Sequence, residues 1–200
     1  MNTLKALDQN FEFSSHSPSC KALYSFLLEK GGVRPRVTST FPFIDFKSVF
    51  INVHDSVIDP VALNIGFKLA HDVVPVAYTL YLRNITGNKY CSLCKVECET
   101  VEHLFYYCPF ILPARKLLSK WFNDIANLQL SLECIRFSVL PRTDSAKLFR
   151  KFLLFLLSEF RYVVWNMRNK ARFDNKNIIA NHILASFITR VKIRLYLDYI

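Results

Sequence analysis

Apolar residues recur every three or four positions in several stretches of the chain, which is the spacing of helices that bury one face. Helix-starting residues such as Ser17 and Asp59-Pro60 precede these stretches, and glycines or prolines end them. The pattern predicts helices over 17–32, 61–72, 76–82, a segment from about Pro113 through Phe122, 144–171 and 177–197.

The two predicted C-terminal helices are long enough to pack together as a helical hairpin. The most apolar run, Phe152–Leu157, lies in the first of them and is far shorter than a membrane span of roughly 20 residues, so it predicts a buried helix. Residues 33–53 instead alternate β-branched, aromatic and polar residues around two prolines, which predicts extended or irregular structure. The pattern as a whole predicts a mainly α fold.

The composition is that of a packed protein. The chain is long enough for one substantial core, or for a small module followed by a helical module. The 200 residues are 52% hydrophobic and include 18 phenylalanines but only 4 glycines, unlike disordered chains and many all-β folds. The first twenty residues lack an apolar run that would suit a signal peptide. We therefore expect an intracellular protein, nuclear or cytoplasmic, without a membrane partner.

The formal net charge of +10 lies entirely in the C-terminal half. Residues 1–108 contain 10 basic and 10 acidic side chains, whereas residues 109–200 contain 16 and 6. Such an excess predicts either a nucleic-acid partner or a solvated basic helix face. The candidate phosphate contacts are Arg161, Arg168, Lys170, Arg172 and Lys176.

Four residues with the spacing C-x2-C-x8-H-x4-C have the chemistry of a tetrahedral zinc site: Cys91, Cys94, His103 and Cys108. Intracellular thiols are kept reduced, which favours metal binding over disulfides. On an uninterrupted helix, residues five apart point about 140° away from each other, so the helix must loosen between His103 and Cys108. Pro109 disfavours helix at Cys108 and supplies such a break.

Cys98 leaves alternatives open, since it could replace one of these ligands or stay a spare thiol, and the cluster could also hold no metal. Glu97, Glu99 and Glu102 crowd the cluster, and one of them could act as a general base beside zinc-bound water. Four protein ligands, however, close the coordination shell, so we expect one structural Zn²⁺ and no catalytic one.

The segment "C-x-L-C... E-T-x-x-H-L-F-x-x-C-P-F" resembles the reverse-transcriptase zinc-binding domain, found near the C-terminus of non-LTR retrotransposon polyproteins. The stretch before it, "FKLAHDVVPVAYTLYL", and the later "VWNMRNK" also resemble that family. Corresponding positions are Phe67, Leu69, His71, Pro75, Leu80, Cys91, Cys94, Glu99, Thr100, His103, Cys108, Trp165, Arg168 and Asn169. Phe67 departs from the family pattern, which usually has tryptophan at this position.

The resemblance implies a zinc knuckle between helical segments, in a region that helps to hold template RNA or target DNA. The chain has no Asp-Asp pair of the kind a polymerase uses and no matching endonuclease pattern, so we expect no enzyme activity and no small-molecule substrate. The alternatives are a scaffold domain that docks on a reverse transcriptase body or another protein, and a decayed transposon fragment. The expected regions are 1–55, a zinc-binding module over 56–125, and a basic helical region over 126–200.

Overall fold

The computed structural model of the protein describes residues 36–197. These residues form α-helices, one π-helical turn and one 3-10 turn, without a strand, and an isolated antiparallel bridge joins Tyr90 to Cys98. The mainly helical fold is confirmed, whereas the helix predicted over 17–32 lies outside the described residues. The α-helices are α1 Arg36–Thr40, α2 Phe46–Val53, α3 Pro60–Ala70, α4 Ala77–Leu82, α5 Leu112–Ala126, α6 Leu132–Phe137, α7 Asp144–Leu148, α8 Arg150–Phe173 and α9 Ala180–Leu197.

Capping residues fix the starts of two predicted helices. The Asp59 carboxylate accepts a hydrogen bond from a first-turn N–H of α3, and Pro60 occupies the first position of that helix. Thr143 caps α7 in the same way. The long helix predicted over 144–171 is divided at Phe149 into α7 and α8.

The prediction of extended or irregular structure is wrong for residues 36–40 and 46–53, which form α1 and α2, and it holds for the turn over residues 41–45 between them. Asp45 caps α2, because its carboxylate accepts hydrogen bonds from the backbone N–H and the hydroxyl of Ser48. Phe46 of α2 packs edge-on against Phe137 of α6, with ring centroids 5.6 Å apart, in a small apolar cluster. Burial of one helical face therefore outweighs the low helix propensity of the β-branched residues.

Helix α8 lies at the centre of the main core and packs against α3, α5, α6, α7 and α9. Its apolar run Phe152–Leu157 is confirmed as largely buried helix. Phe160 of α8 meets Phe187 of α9 at a ring-centroid distance of 5.6 Å, and this contact confirms the predicted hairpin. None of the described helices is both long and apolar enough to cross a membrane.

One continuous apolar cluster spans the two predicted regions 56–125 and 126–200. Its buried members run from Ile65 to Val191 along the chain. Across the boundary, Trp121 of α5 packs on Phe187 of α9 with ring centroids 5.4 Å apart. The zinc-binding module and the basic region therefore share a single core.

Arg161, a predicted nucleic-acid contact, is buried inside this core. Its guanidinium donates hydrogen bonds to the backbone oxygens of Cys134 and Ile135 at 3.0 and 2.5 Å, and to the hydroxyl of Ser138 at 2.8 Å. These acceptors lie at the C-terminal end of α6, where the last carbonyl oxygens of a helix have spare hydrogen-bonding capacity. Burial lowers the pKa of Arg161 to about 10. Arg161 thus holds α6 against α8 and is not available to a phosphate, which corrects the sequence prediction.

Arg168, a second predicted nucleic-acid contact, is also buried and forms an ion pair with the fully buried Glu99. Its Nε and Nη2 atoms lie 3.0 and 2.6 Å from Glu99 Oε1. Glu99 also accepts hydrogen bonds from the N–H groups of Ala77, at 2.8 Å, and Ser92, at 3.1 Å. Arg168 donates in addition to the Pro75 carbonyl at 3.3 Å. The prediction for Arg168 is corrected as well, because this guanidinium binds the protein's own carboxylate.

The Arg168→Met substitution tests this ion pair. It leaves the buried Glu99 carboxylate without a cation, so we expect a loss of about 3–5 kcal/mol in the free energy of unfolding. Urea unfolding at constant zinc concentration measures this loss. Lys170→Met is the matched control, because Lys170 is half-buried and makes no ion pair among the described residues.

A double variant with Glu99→Gln and Arg168→Met should recover part of that loss, since the neutral amide carries no uncompensated charge. Equal stabilities for Arg168→Met and Lys170→Met would contradict the structural role given to Arg168.

Candidate metal centre

The four side chains with zinc-ligand chemistry come together as the sequence predicts. The ligand atoms of Cys91, Cys94, His103 and Cys108 all lie within 4.8 Å of one another. The Sγ atoms of Cys91 and Cys108 are 3.9 Å apart, and Cys94 Sγ lies 3.4 Å from His103 Nε2. A tetrahedral zinc ion places sulfur and nitrogen ligands about 3.5 to 3.8 Å apart. The donor set and its spacing therefore fit Zn²⁺.

A tight turn presents the first two cysteines. The N–H of Lys95 donates to the Cys91 carbonyl at 2.8 Å, and the Cys91 N–H donates to the Glu97 carbonyl, also at 2.8 Å. Lys95 adopts the left-handed backbone region with φ 61°, which reverses the chain directly after Cys94. The bridge between Tyr90 and Cys98 closes the base of this turn.

A π-helical turn over His103–Tyr107 brings the other two ligands to the same side. The Cys108 N–H donates to the His103 carbonyl at 2.7 Å, a five-residue step in place of the four-residue step of an α-helix. Cys108 itself has φ −58° and ψ 127°, the extended conformation expected before Pro109. The predicted loosening of the helix between His103 and Cys108 is confirmed, and it takes the form of a π turn.

Glu97 orients the histidine. Its Oε2 atom lies 3.0 Å from His103 Nδ1, so the proton of the neutral ring belongs on Nδ1 and Nε2 faces the cysteines with its lone pair. Sequence reasoning considered Glu97 only as a possible general base and missed this positioning role. The signal that could have found it is a carboxylate near a metal-ligand histidine, since such histidines usually bind a second group through the other ring nitrogen.

The other two nearby glutamates face protein cations. Glu99 binds Arg168, and Glu102 binds Arg136. Arg136 also pairs with Asp72. Neither glutamate is therefore placed beside the four ligand atoms as a general base.

Cys98 stays outside the candidate site. It is half-buried, and it is not part of the set of ligand atoms that lie within 4.8 Å of one another in the described chain. The alternative in which Cys98 replaces a ligand receives no support from this geometry. The five cysteines of the described residues, Cys98 among them, are free thiols.

The Cys91 thiol lies in an environment that disfavours its thiolate. The hydrogen bond with Cys108, followed by burial, raises the pKa of the Cys91 thiol, although backbone N–H groups of Cys94 and Leu93 partly oppose the shift. A divalent cation supplies the positive charge that lets such thiols lose their protons. Cys91, whose Sγ lies 3.9 Å from Cys108 Sγ, thus suits a metal ion better than it suits a free thiolate.

The turn between Tyr90 and Cys98, which presents Cys91 and Cys94, is called the knuckle below. A groove of about 780 Å³ lies between the knuckle and the C-terminal end of α8. The predicted contacts Arg172 and Lys176 line it, together with Lys95 from the knuckle. Tyr90 and Phe173 add exposed aromatic rings, and none of its lining side chains is acidic. Sequence reasoning missed Lys95 and both rings, because the groove joins segments about 80 residues apart.

The predicted nucleic-acid contacts thus divide into two classes. Arg161 and Arg168 are buried, whereas Lys170 and Arg172 are half-buried and Lys176 is exposed. Among residues 36–197, Lys170, Arg172 and Lys176 form no ion pair with a carboxylate. Arg172 donates a hydrogen bond to the Thr86 hydroxyl at 3.3 Å.

Comparison with known proteins gives one match. Residues 19–113 match the family model described as zinc-binding in reverse transcriptase. No curated protein and no solved structure matches the chain. The match contains all four candidate ligands and ends within α5, so Trp165, Arg168 and Asn169 lie beyond it. Residues 19–113 are thus similar to the zinc-binding domain of reverse transcriptases, in agreement with the resemblance seen in the sequence.

Proposed function

We propose that the protein is a non-catalytic module, stapled by one structural Zn²⁺, that binds RNA or DNA through its basic C-terminal half. The observation that carries the proposal is the groove beside the knuckle. Its three cations, which have no carboxylate partner in the described chain, are Lys95, Arg172 and Lys176. Its two exposed aromatic rings are those of Tyr90 and Phe173. A carboxylate-free basic groove with ring faces is the arrangement that binds a nucleic-acid strand through its phosphates and bases.

The metal serves to hold the fold. Cys91, Cys94, His103 and Cys108 would hold Zn²⁺ with four protein ligands, and a closed shell leaves no position for a reacting water. The ion would tie the turn after Tyr90 to the π turn before Pro109. Since the Tyr90–Cys98 segment has only one isolated bridge as regular structure, the metal supplies much of the free energy that orders it.

The charge distribution supports phosphate contacts at the groove in particular. Most arginines of the C-terminal half are engaged by the protein itself: Arg150 binds Asp55, and Arg190 binds Asp59 and Glu159. Arg172 and Lys176 have no such partner among the described residues, so their charge is free to attract a polyanion.

The zinc site is tested by the metal content of purified protein. We expect one zinc per chain by elemental mass spectrometry, retained in Cys98→Ser and lost in His103→Ala. Glu97→Gln should keep the site but weaken zinc affinity about 10- to 100-fold in a chelator competition, because it removes the carboxylate that orients His103. A folded wild type without zinc, or loss of zinc in Cys98→Ser alone, would contradict this site.

Nucleic-acid binding is tested by the salt dependence of the affinity for labelled single-stranded RNA and DNA, measured by fluorescence anisotropy. Each phosphate contact contributes about 0.7 to the slope of log K against log salt for a single strand. Lys176→Gln should lower the slope by about that amount, because Lys176 lines the groove.

Lys192→Gln is the matched control for this measurement. It removes the same charge from an exposed position of α9 that does not line the groove. Equal effects of the two substitutions, or binding that is independent of salt, would reject the groove as the phosphate site.

A second candidate function, docking on a larger protein such as a reverse transcriptase body, is favoured by a different observation. An apolar groove of about 430 Å³ lies between the loop before α2 and helix α6. Phe41, Ile44 and Leu132 contribute to it, and the ring of Phe43 is 98% exposed at its edge. An exposed apolar groove of this kind is typical of a surface that another protein covers.

Docking through this groove predicts association without nucleic acid. The wild type should show weak, concentration-dependent association in sedimentation velocity, because exposed apolar surface is buried when molecules meet. Phe43→Ser should reduce it, whereas Leu148→Ser, at a 76% exposed apolar residue away from the groove, should not. A wild type that stays monomeric at all concentrations would favour the nucleic-acid proposal alone.

A further inference from the structure

A second groove, of about 400 Å³, lies between α3 and α8 and has a different chemistry. Three asparagine side chains, Asn64, Asn166 and Asn169, line it together with the rings of Tyr162 and Trp165. No charged side chain contributes to its lining. Amides beside aromatic rings provide both hydrogen-bonding groups and flat apolar faces, and these are the two elements that read an unpaired base.

The groove is built from side chains that the protein holds in place. The Arg168 guanidinium lies 4.8 Å from the Trp165 ring centre, and the Arg190 guanidinium lies 4.2 Å from the Tyr162 ring centre. Both cations are fixed by buried carboxylates, Glu99 and Glu159. An arginine with a fixed position thus supports each ring, which reduces the entropy lost when a ligand stacks there.

The asparagines have free hydrogen-bonding capacity. Arg168 Nη1 donates to Asn169 Oδ1 at 3.0 Å, and since a guanidinium only donates, this bond fixes the orientation of the amide. The NH₂ group of Asn169 is therefore the part left to donate to a ligand. In the described part of the chain, the amides of Asn64 and Asn166 make no hydrogen bond to protein.

Helix α8 joins this groove to the basic groove beside the knuckle. Residues seven apart on an α-helix lie within about 20° of the same direction. Trp165 and Arg172 form one such pair, and Asn166 and Phe173 form another. Seven residues cover about 10 Å along the axis, on the order of three stacked nucleotides. A strand with its phosphates at Arg172 can thus place a base between Trp165 and the asparagines.

We propose that this groove, formed by Asn64, Tyr162, Trp165, Asn166 and Asn169, binds an unpaired nucleobase of a single-stranded nucleic acid. The inference rests on the proposed function, because the basic groove supplies the phosphate contacts. It makes single-stranded nucleic acid the preferred ligand, since a base within a duplex is not accessible to such a groove.

The experiment compares the full chain's affinity for a single-stranded oligonucleotide and for an abasic oligomer with the same number of phosphates. We expect the base-containing strand to bind at least about tenfold more tightly. Asn64→Ala and Asn166→Ala should each reduce that preference about threefold to tenfold, without a change in the affinity for the abasic oligomer or in the salt slope. Asn181→Ala, at an exposed position of α9 outside both grooves, is the control and should change nothing.

Tryptophan fluorescence gives a direct readout of stacking. The chain has two tryptophans, so Trp121→Phe leaves Trp165 as the only one. The base-containing strand should quench Trp165, and the abasic oligomer should not.

Each other outcome identifies what has failed. Equal affinity for the two oligomers with a normal salt slope overturns the base site and leaves the proposed function intact. Absence of binding to both oligomers overturns both proposals. Quenching of Trp165 by a neutral oligosaccharide, but not by the oligonucleotide, shows that the groove takes a sugar and overturns the base site.

Discussion

The buried carboxylate of Glu99 joins three parts of the molecule that are distant in sequence or structure. Its oxygens accept hydrogen bonds from the first residue of α4, from Ser92 in the knuckle turn and from Arg168 near the end of α8. A charge in this position is tolerated only because a cation and several donors surround it. The metal site can order the knuckle locally, and Glu99 ties the knuckle to α4 and α8.

The same interaction explains why net charge alone is a poor guide to the binding surface. Arg136, Arg150, Arg168 and Arg190 all pair with carboxylates, and Arg161 binds carbonyl oxygens at the end of α6. Arg172, near the end of α8, and Lys176, just after it, make no ion pair with a carboxylate among the described residues. The basic half of the protein therefore has a structural set of cations and a smaller set that faces the groove.

The metal ligands could be predicted from sequence because their chemistry is local. Two cysteines separated by two residues, and a histidine separated by four residues from a later cysteine, are visible in the sequence. Pro109 indicates the break in the helix that lets His103 and Cys108 converge. The roles of Arg168 and Arg172 could not be distinguished in this way. Both follow Trp165 at similar spacing, and only the fold shows that a carboxylate 69 residues away meets Arg168. The helices in residues 36–53 were missed for a related reason, since burial against Phe137 decides their structure.

The position of Cys108 links the metal site to the hairpin. Cys108 ends the π turn, the 3-10 turn Pro109–Ile111 follows at once, and α5 continues from there to Trp121 and its contact with Phe187 of α9. A metal ion bound to Cys108 would therefore hold the start of the helical segment that runs through the 3-10 turn and α5 into the core. Through Glu99 the opposite side of the knuckle is fixed to α8 as well. The wall of the basic groove that the knuckle forms thus depends on the metal site directly. The wall that α8 forms is joined to the knuckle by the buried ion pair between Glu99 and Arg168. This dependence is the physical reason why a structural metal would matter for the proposed nucleic-acid binding, although the four candidate ligands are not themselves the proposed phosphate contacts.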